Sequence, residues 1–250
     1  MSTTIAASPV LGASPKTQRV LPLLWEDEEY EVGESYIHVL TDEILHVCLE
    51  AFFSHDSTVQ VFANMNLYYT TPNDPEDKAS PYVSPDLMVV RPHTRLPLEV
   101  ASYRNDVDGP APLLVAEILS QRSYQQRDLR EKMDVYSILG ISEYILIDVT
   151  GRFLRQKLRL LRLQPDSGWQ ESQDSDGGIT SRHGFRLVVE ADGFLRVIEA
   201  ATGRKLIRPN EAERQRQEQE QLAESQSKEY EQRIRELEAE LARLRQRGQP

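Results

Sequence analysis

The sequence predicts an α/β domain built on a central mixed β-sheet flanked by helices, and three observations carry that expectation. Residues 36–149 read in the order helix, strand, strand, strand, helix, strand. Two runs, "DLMVV" (86–90) and "PLLVAEILS" (112–120), are apolar enough to be strands covered on both faces. No G-x-G-x-x-G and no G-x-x-x-x-G-K-[ST] accompanies them, which argues against a doubly wound nucleotide binder.

Each element follows from local pattern. Residues 1–20 are rich in Ser, Thr, Ala and Pro and are expected to be disordered. An acidic entry segment, 21–35, leads to "YIHVLTDEILHVCLEAFF" (36–53), whose apolar spacing fits an amphipathic helix with a wide buried face. The β-branched and aromatic stretch 58–70 is a strand, and the Pro- and Asp-punctuated stretch 71–85 is a loop. A polar loop runs from "RPH" to Pro112. Leu129, Met133, Val135, Tyr136 and Leu139 recur at helical spacing within 124–140, and Gly140 suits the end of that helix.

"EYILIDV" (143–149) is a further strand. "FLRQKLRLLRL" (153–163) alternates apolar and basic, as a half-buried strand does, and the following 165–178 is turn material. Residues 184–209 read as an appended β-meander. From Asn210 the chain turns to Glu, Gln, Arg and Ala; Tyr230, Ile234, Leu237, Leu241 and Leu244 step by 4, 3, 4 and 3, a heptad seam. The expected organisation is a disordered 1–20, an α/β domain over 21–209 and a charged helical, coiled-coil tail over 210–250.

Composition narrows the function. The chain has 29 Lys and Arg against 40 Asp and Glu, a net charge of −11, which disfavours a generic nucleic-acid coat but not an enzyme with a locally basic groove. Its single cysteine, Cys48, excludes an internal disulfide and a cysteine zinc site, and reads as a small buried hydrophobe. The N-terminus lacks the order of a signal peptide, and no apolar run approaches the ~20 residues of a membrane span. A cytoplasmic protein is expected. No H-E-x-x-H and no G-x-S-x-G is present, so zinc and serine hydrolase chemistry lack a motif.

The anomaly is Glu117, an acid inside an apolar strand. Burial of such a carboxylate is costly unless it is paired, protonated or holding a cation. Asp86 opens the other apolar strand, so pairing of the two strands would converge both carboxylates at one edge of the sheet. Converging carboxylates call for a hard cation, Mg²⁺ or Mn²⁺. Lys132, on the following helix with Asp128 and Tyr136 one turn to either side, can point its ammonium into the same cleft. Plainer roles compete: a turn aspartate for Asp86, an ion pair with Arg127 or Arg130 for Glu117, a surface pair with Asp128 for Lys132.

"SPDLMVV", "PLLVAEILS" and "RDLREKMDVYSILGISEYILID" together resemble the Uma-type restriction endonucleases of the PD-(D/E)XK nuclease superfamily. "GESYIH", with Glu34 and His38, is similar to that family's N-terminal signature. The resemblance covers roughly 25–210 and is strongest over 82–149. It implies a restriction-endonuclease-like core and Mg²⁺-dependent hydrolysis of DNA phosphodiesters. Carried over by residue, Asp86 and Glu117 would ligate metal, Lys132 would orient or stabilise the attacking water, and Glu34 would be a supporting acid. Leu119 stands where the superfamily usually has its lysine, and the family's shift of that lysine to the helix matches Lys132. Glu31 and Glu43 compete with Glu34, and Glu34 also fits a plain acid at a helix N-terminus.

Two functions therefore stand side by side. One is a metal-dependent DNA endonuclease acting as a homodimer. The other is a catalytically inactive nuclease-fold module that pairs through its C-terminal helix. The direction of the Asp86 and Glu117 side chains discriminates between them.

Overall fold

The computed structural model describes residues 35–69, 81–120 and 126–247, all within one unit spanning 34–250. Residues 1–20, Glu31 and Glu34 lie outside the described residues. Helix α1 (Tyr36–Phe53) buries Thr41, Ile44, Leu45, Cys48, Leu49, Phe52 and Phe53, the stripe its spacing predicts. Burial pushes the Cys48 thiol up to about 11, so it is the inert buried thiol the sequence suggested.

Strands β1 (Gln60–Ala63) and β2 (Asn66–Tyr68) divide the single strand expected over 58–70. Asn64 causes the break, since its φ of 51° is a left-handed conformation that asparagine tolerates and that interrupts a pleat. Strands β3 (Tyr82–Val83) and β4 (Leu87–Val90) follow, then β5 (Ser102–Arg104), inside the segment read as loop. β2 pairs antiparallel with β3 and parallel with β5 in a small sheet.

Next come β6 (Leu114–Ile118), α2 (Gln126–Ile138), β7 (Glu143–Ile147), β8 (Leu158–Gln164) and β9 (Gly168–Ser172). They complete a six-stranded sheet in the order β1-β4-β6-β7-β8-β9. β6 and β7 are parallel, joined through α2, and every other neighbour pair is antiparallel. The sheet is therefore mixed, as expected. β9 was read as turn; its "GWQES" is a polar edge strand, paired with β8 on one side only. β8 starts at Leu158, five residues later than the alternation suggested.

β10 (Ile179–Thr180), β11 (Phe185–Val189) and β12 (Leu195–Glu199) form the appended meander, and α3 (Pro209–Arg247) closes the chain. Among the described residues, no helix is long and apolar enough to cross a membrane.

Strand alternation sorts the core onto two faces. Leu114, Ala116 and Ile118 of β6 pack with Leu87 and Val89 of β4, α1 and the meander. Val115, Leu119, Met88 and Val90 pack on the other face with Tyr136 and Met133 of α2, Leu67 and Tyr103. Glu117 and Asp86 have the parity of this second face.

Two buried arginines tie the meander to the start of α3. Arg208 bonds Glu190, Asp192 and the Leu195 carbonyl, while Arg196 bonds Glu190, Glu211 and the Leu206 carbonyl. Removing one partner of such a buried network leaves its charges uncompensated. Arg208→Ala is therefore expected to lower the unfolding free energy by about 3 kcal/mol, measured by urea denaturation. A loss under about 0.5 kcal/mol would show that the network contributes little.

Candidate active site

Register builds the site. β4 and β6 pair antiparallel with Leu87 opposite Ala116 and Met88 opposite Val115. One step beyond, at the β4 entrance and the β6 exit, that register sets Asp86 opposite Glu117. Directly opposed residues share a face. The two carboxylates therefore lie on one side of the sheet, and Asp86 Oδ2 accepts the Ile118 N–H at 2.6 Å.

α2 supplies the rest. Lys132 and Tyr136 are four residues apart on one helix face. Lys132 Nζ donates to Glu117 Oε2 at 2.9 Å and to the Ser84 carbonyl at 3.3 Å. The Tyr136 hydroxyl donates to Glu117 Oε1 at 2.9 Å. Tyr136 is itself fixed edge-on against Tyr144, with ring centroids 5.1 Å apart. The Trp169 indole of β9 donates to the Met133 carbonyl, holding α2 against the sheet. Gly140, with φ 73°, ends the helix in the left-handed conformation expected of it.

Electrostatics mark Glu117 as the tense member. Its side chain is 1% exposed. Burial raises its pKa to about 7; Lys132 and its hydrogen bonds pull the other way, and the charge of Asp86 adds to the rise. Burial and the neighbouring Glu117 charge raise the Tyr136 phenol well above its ordinary value, so it stays a hydrogen-bond donor at neutral pH.

The helix α1 acid that feels the charge of Asp86 is Asp42, not one of the acids expected from the sequence. Asp42 Oδ2 accepts from Asn64 Nδ2 at 3.0 Å, and the Asn64 N–H donates to the Asp86 carbonyl at 2.8 Å. Burial, then the charge of Asp86, raises its carboxyl pKa. Its signal in the sequence was the helical spacing His38, Asp42, His46 beside the apolar stripe. Glu43 is exposed and lines a groove with Phe194, Pro209 and Glu213, toward α3. Tyr136 was seen only as a neighbour of Lys132; its bond to Glu117 needed the β6–α2 packing to be known.

Other buried acids are committed elsewhere. Glu143 is held by Arg162, Ser181 and the Arg182 N–H. Burial raises the Asp148 pKa, but Thr150 and the N–H groups of Leu154, Phe153 and Gly151 bring it below the usual range, so it organises a turn.

Among the described residues no three His, Cys, Asp or Glu side chains converge as a cation cage. Asp86 and Glu117 are two hard oxygen donors, and magnesium characteristically takes one or two carboxylates with waters and phosphate oxygens completing its shell. Each Glu117 oxygen accepts one hydrogen bond in the fold and keeps a second acceptor position. The donor set therefore fits such an ion.

Residues 27–190 match the family model described as "Uma2: Putative restriction endonuclease". The chain belongs to the Uma2 family. The matched span runs from before α1 into the meander and contains Asp86, Glu117, Lys132 and Tyr136. Among solved structures, the chain is similar to one from Anabaena variabilis ATCC 29413 described as a "putative nuclease belonging to DUF820". Identity is 16% over 60% of this chain and 74% of that one, with a TM-score of 0.43. No curated protein matches.

The raised Glu117 pKa has a thermodynamic consequence. Its folded pKa of about 7 exceeds the ordinary 4.5, so the native state binds the extra proton between those values. Stability associated with the protonated form is present below about pH 4.5 and is lost as pH rises through 7. Glu117→Gln keeps an acceptor for Tyr136 and removes the titration. Urea unfolding of both forms in chelator should show the wild type losing roughly 3 kcal/mol relative to the variant across that window. A constant difference would place the Glu117 pKa in the ordinary range.

Proposed function

We propose that this Uma2-family chain is a divalent-metal-dependent endodeoxyribonuclease, using Mg²⁺ or Mn²⁺, that hydrolyses DNA phosphodiester bonds at Asp86, Glu117 and Lys132. The observation that carries this reading is the convergence of the Asp86 and Glu117 carboxylates on one face of the sheet, with the Lys132 ammonium 2.9 Å from Glu117. Carboxylates on opposite faces would have favoured a non-catalytic module.

Asp86 and Glu117 would hold the ion. When bound, the ion supplies Lewis-acid stabilisation of charge on the phosphate oxygens and lowers the pKa of water. The protein's own residues do the remainder. Glu117 must be ionised to act as a ligand, and Lys132 and Tyr136 favour that form by hydrogen bonding to it. Lys132, partly exposed at the cleft, can also face a phosphate oxygen or orient the attacking water. Tyr136 holds the carboxylate plane against rotation, and the Ile118 N–H does the same for Asp86. Asp42 acts through Asn64 on the strand end that carries Asp86. Glu34 keeps the supporting role that the resemblance implies for it.

The test is nicking of supercoiled plasmid with Mg²⁺ or Mn²⁺, and with chelator. Cleavage should require the metal, and Asp86→Ala, Glu117→Ala and Lys132→Ala should each slow it about a hundredfold or more. Cleavage that survives both carboxylate substitutions would refute the assignment. Absence of cleavage on single- and double-stranded DNA, with folded protein and bound metal, would favour the interaction-module reading.

A further inference from the structure

Helix α3 spans Pro209–Arg247, and from Ala212 to Ala239 every residue is exposed. Its first turn is anchored: Glu211 accepts from Arg196 and from the Arg208 N–H. Apart from the first turn, which borders α1 at the groove lined by Glu43 and Glu213, the helix packs against no other element of the described residues through a buried side chain. A lone helix is marginal in water, and its stability ordinarily comes from packing one face.

The exposed face has a pattern. Tyr230, Ile234 and Leu237 are 69%, 54% and 43% exposed and lie on one stripe at spacings of four and three. Taking Ile234 as heptad position a places Tyr230 and Leu237 at d; the sequence alone continues with leucines at 241 and 244. A β-branched residue at a with leucine at d favours two parallel strands. The flanking charges agree. Arg233 falls at g and Glu238 at e, and g faces the next e of the partner in a parallel, in-register pair. Arg233 of each copy then meets Glu238 of the other. Read from the sequence, the next heptad repeats the match with Glu240 and Arg245. An antiparallel pair centred on the same seam would set Glu231 against Glu238 twice, like charge against like, beside two Arg233–Glu240 matches, so it has a clash that the parallel pair lacks.

We propose that α3 is a homodimerisation helix that pairs with the same helix of a second copy, parallel and in register, through Tyr230, Ile234 and Leu237. The Arg233–Glu236 contact within one helix is exposed and weak, so it does not bar Arg233 from the partner. Because α3 is anchored to the meander by buried arginines, a parallel pair carries both α/β domains at the same end of the coil. This pairing rests on α3 alone and stands independently of the cleavage reading.

The experiment is sedimentation equilibrium of the full chain over a wide concentration range, with circular dichroism as the control for folding. The wild type should show a reversible monomer–dimer equilibrium, and Ile234→Asp should shift it to monomer while the thermal unfolding of the α/β domain is retained. Glu238→Arg decides orientation. It sets arginine against Arg233 in the parallel pair and should weaken the dimer several-fold, whereas in an antiparallel pair it relieves the glutamate clash and strengthens it. Combining Glu238→Arg with Arg233→Glu should restore wild-type dimerisation. A monomer at every concentration, a trimer, a dimer indifferent to Ile234→Asp, or a dimer tightened by Glu238→Arg would each overturn the proposal.

Discussion

The antiparallel register of β4 on β6 is the constraint from which the candidate site follows. It sets Asp86 against Glu117 at the sheet edge and forces both side chains onto the α2 face. A slip of one residue would turn Glu117 toward the α1 core, among Ile44, Leu45, Leu87 and Val89. That alternative is expensive, because it would also turn alternate apolar residues of β6 out of their clusters. The hydrophobic pattern that fixes the strand thus fixes the position of the acid. Glu117 lies in the core because its strand has no other register.

Helix α2 converts that costly burial into an arrangement with chemistry. Lys132 and Tyr136 reach the two oxygens of Glu117 from adjacent turns. Truncating either would leave a buried oxygen short of a partner, a loss comparable to breaking a buried ion pair. Trp169 and the Tyr136–Tyr144 contact keep the helix at the required height over the sheet. The candidate site is preorganised by packing, with Asp86 held by the Ile118 N–H and Glu117 by Lys132 and Tyr136.

Much of this was legible in the chain. Apolar runs flanked by turn residues located β4, β6 and β7, helical spacing located α1 and α2, and an acid in an apolar run singled out Glu117. Lys132 was legible because Leu119 stands where the superfamily's lysine is due and the helix that follows β6 offers a lysine beside the strand end. Asp42 was not, because its link to Asp86 passes through the left-handed turn at Asn64, between two strands that read as one. β9 was hidden for a different reason: an edge strand paired on one side can be polar, so periodicity carries no mark of it. The role of Tyr136 depended on which face of α2 meets β6, and a period of 3.6 does not choose the partner.

Burial raises the Glu117 pKa to about 7, so a divalent cation bound there would displace its proton to the buffer. Calorimetric titration of Mn²⁺ at pH 6, repeated in buffers of different ionisation enthalpy, counts the protons released on binding. With the Glu117 pKa at about 7, binding should release close to one proton in the wild type, and Glu117→Gln should bind weakly and release almost none. Tight binding by Glu117→Gln, or wild-type binding without proton release, would contradict the account.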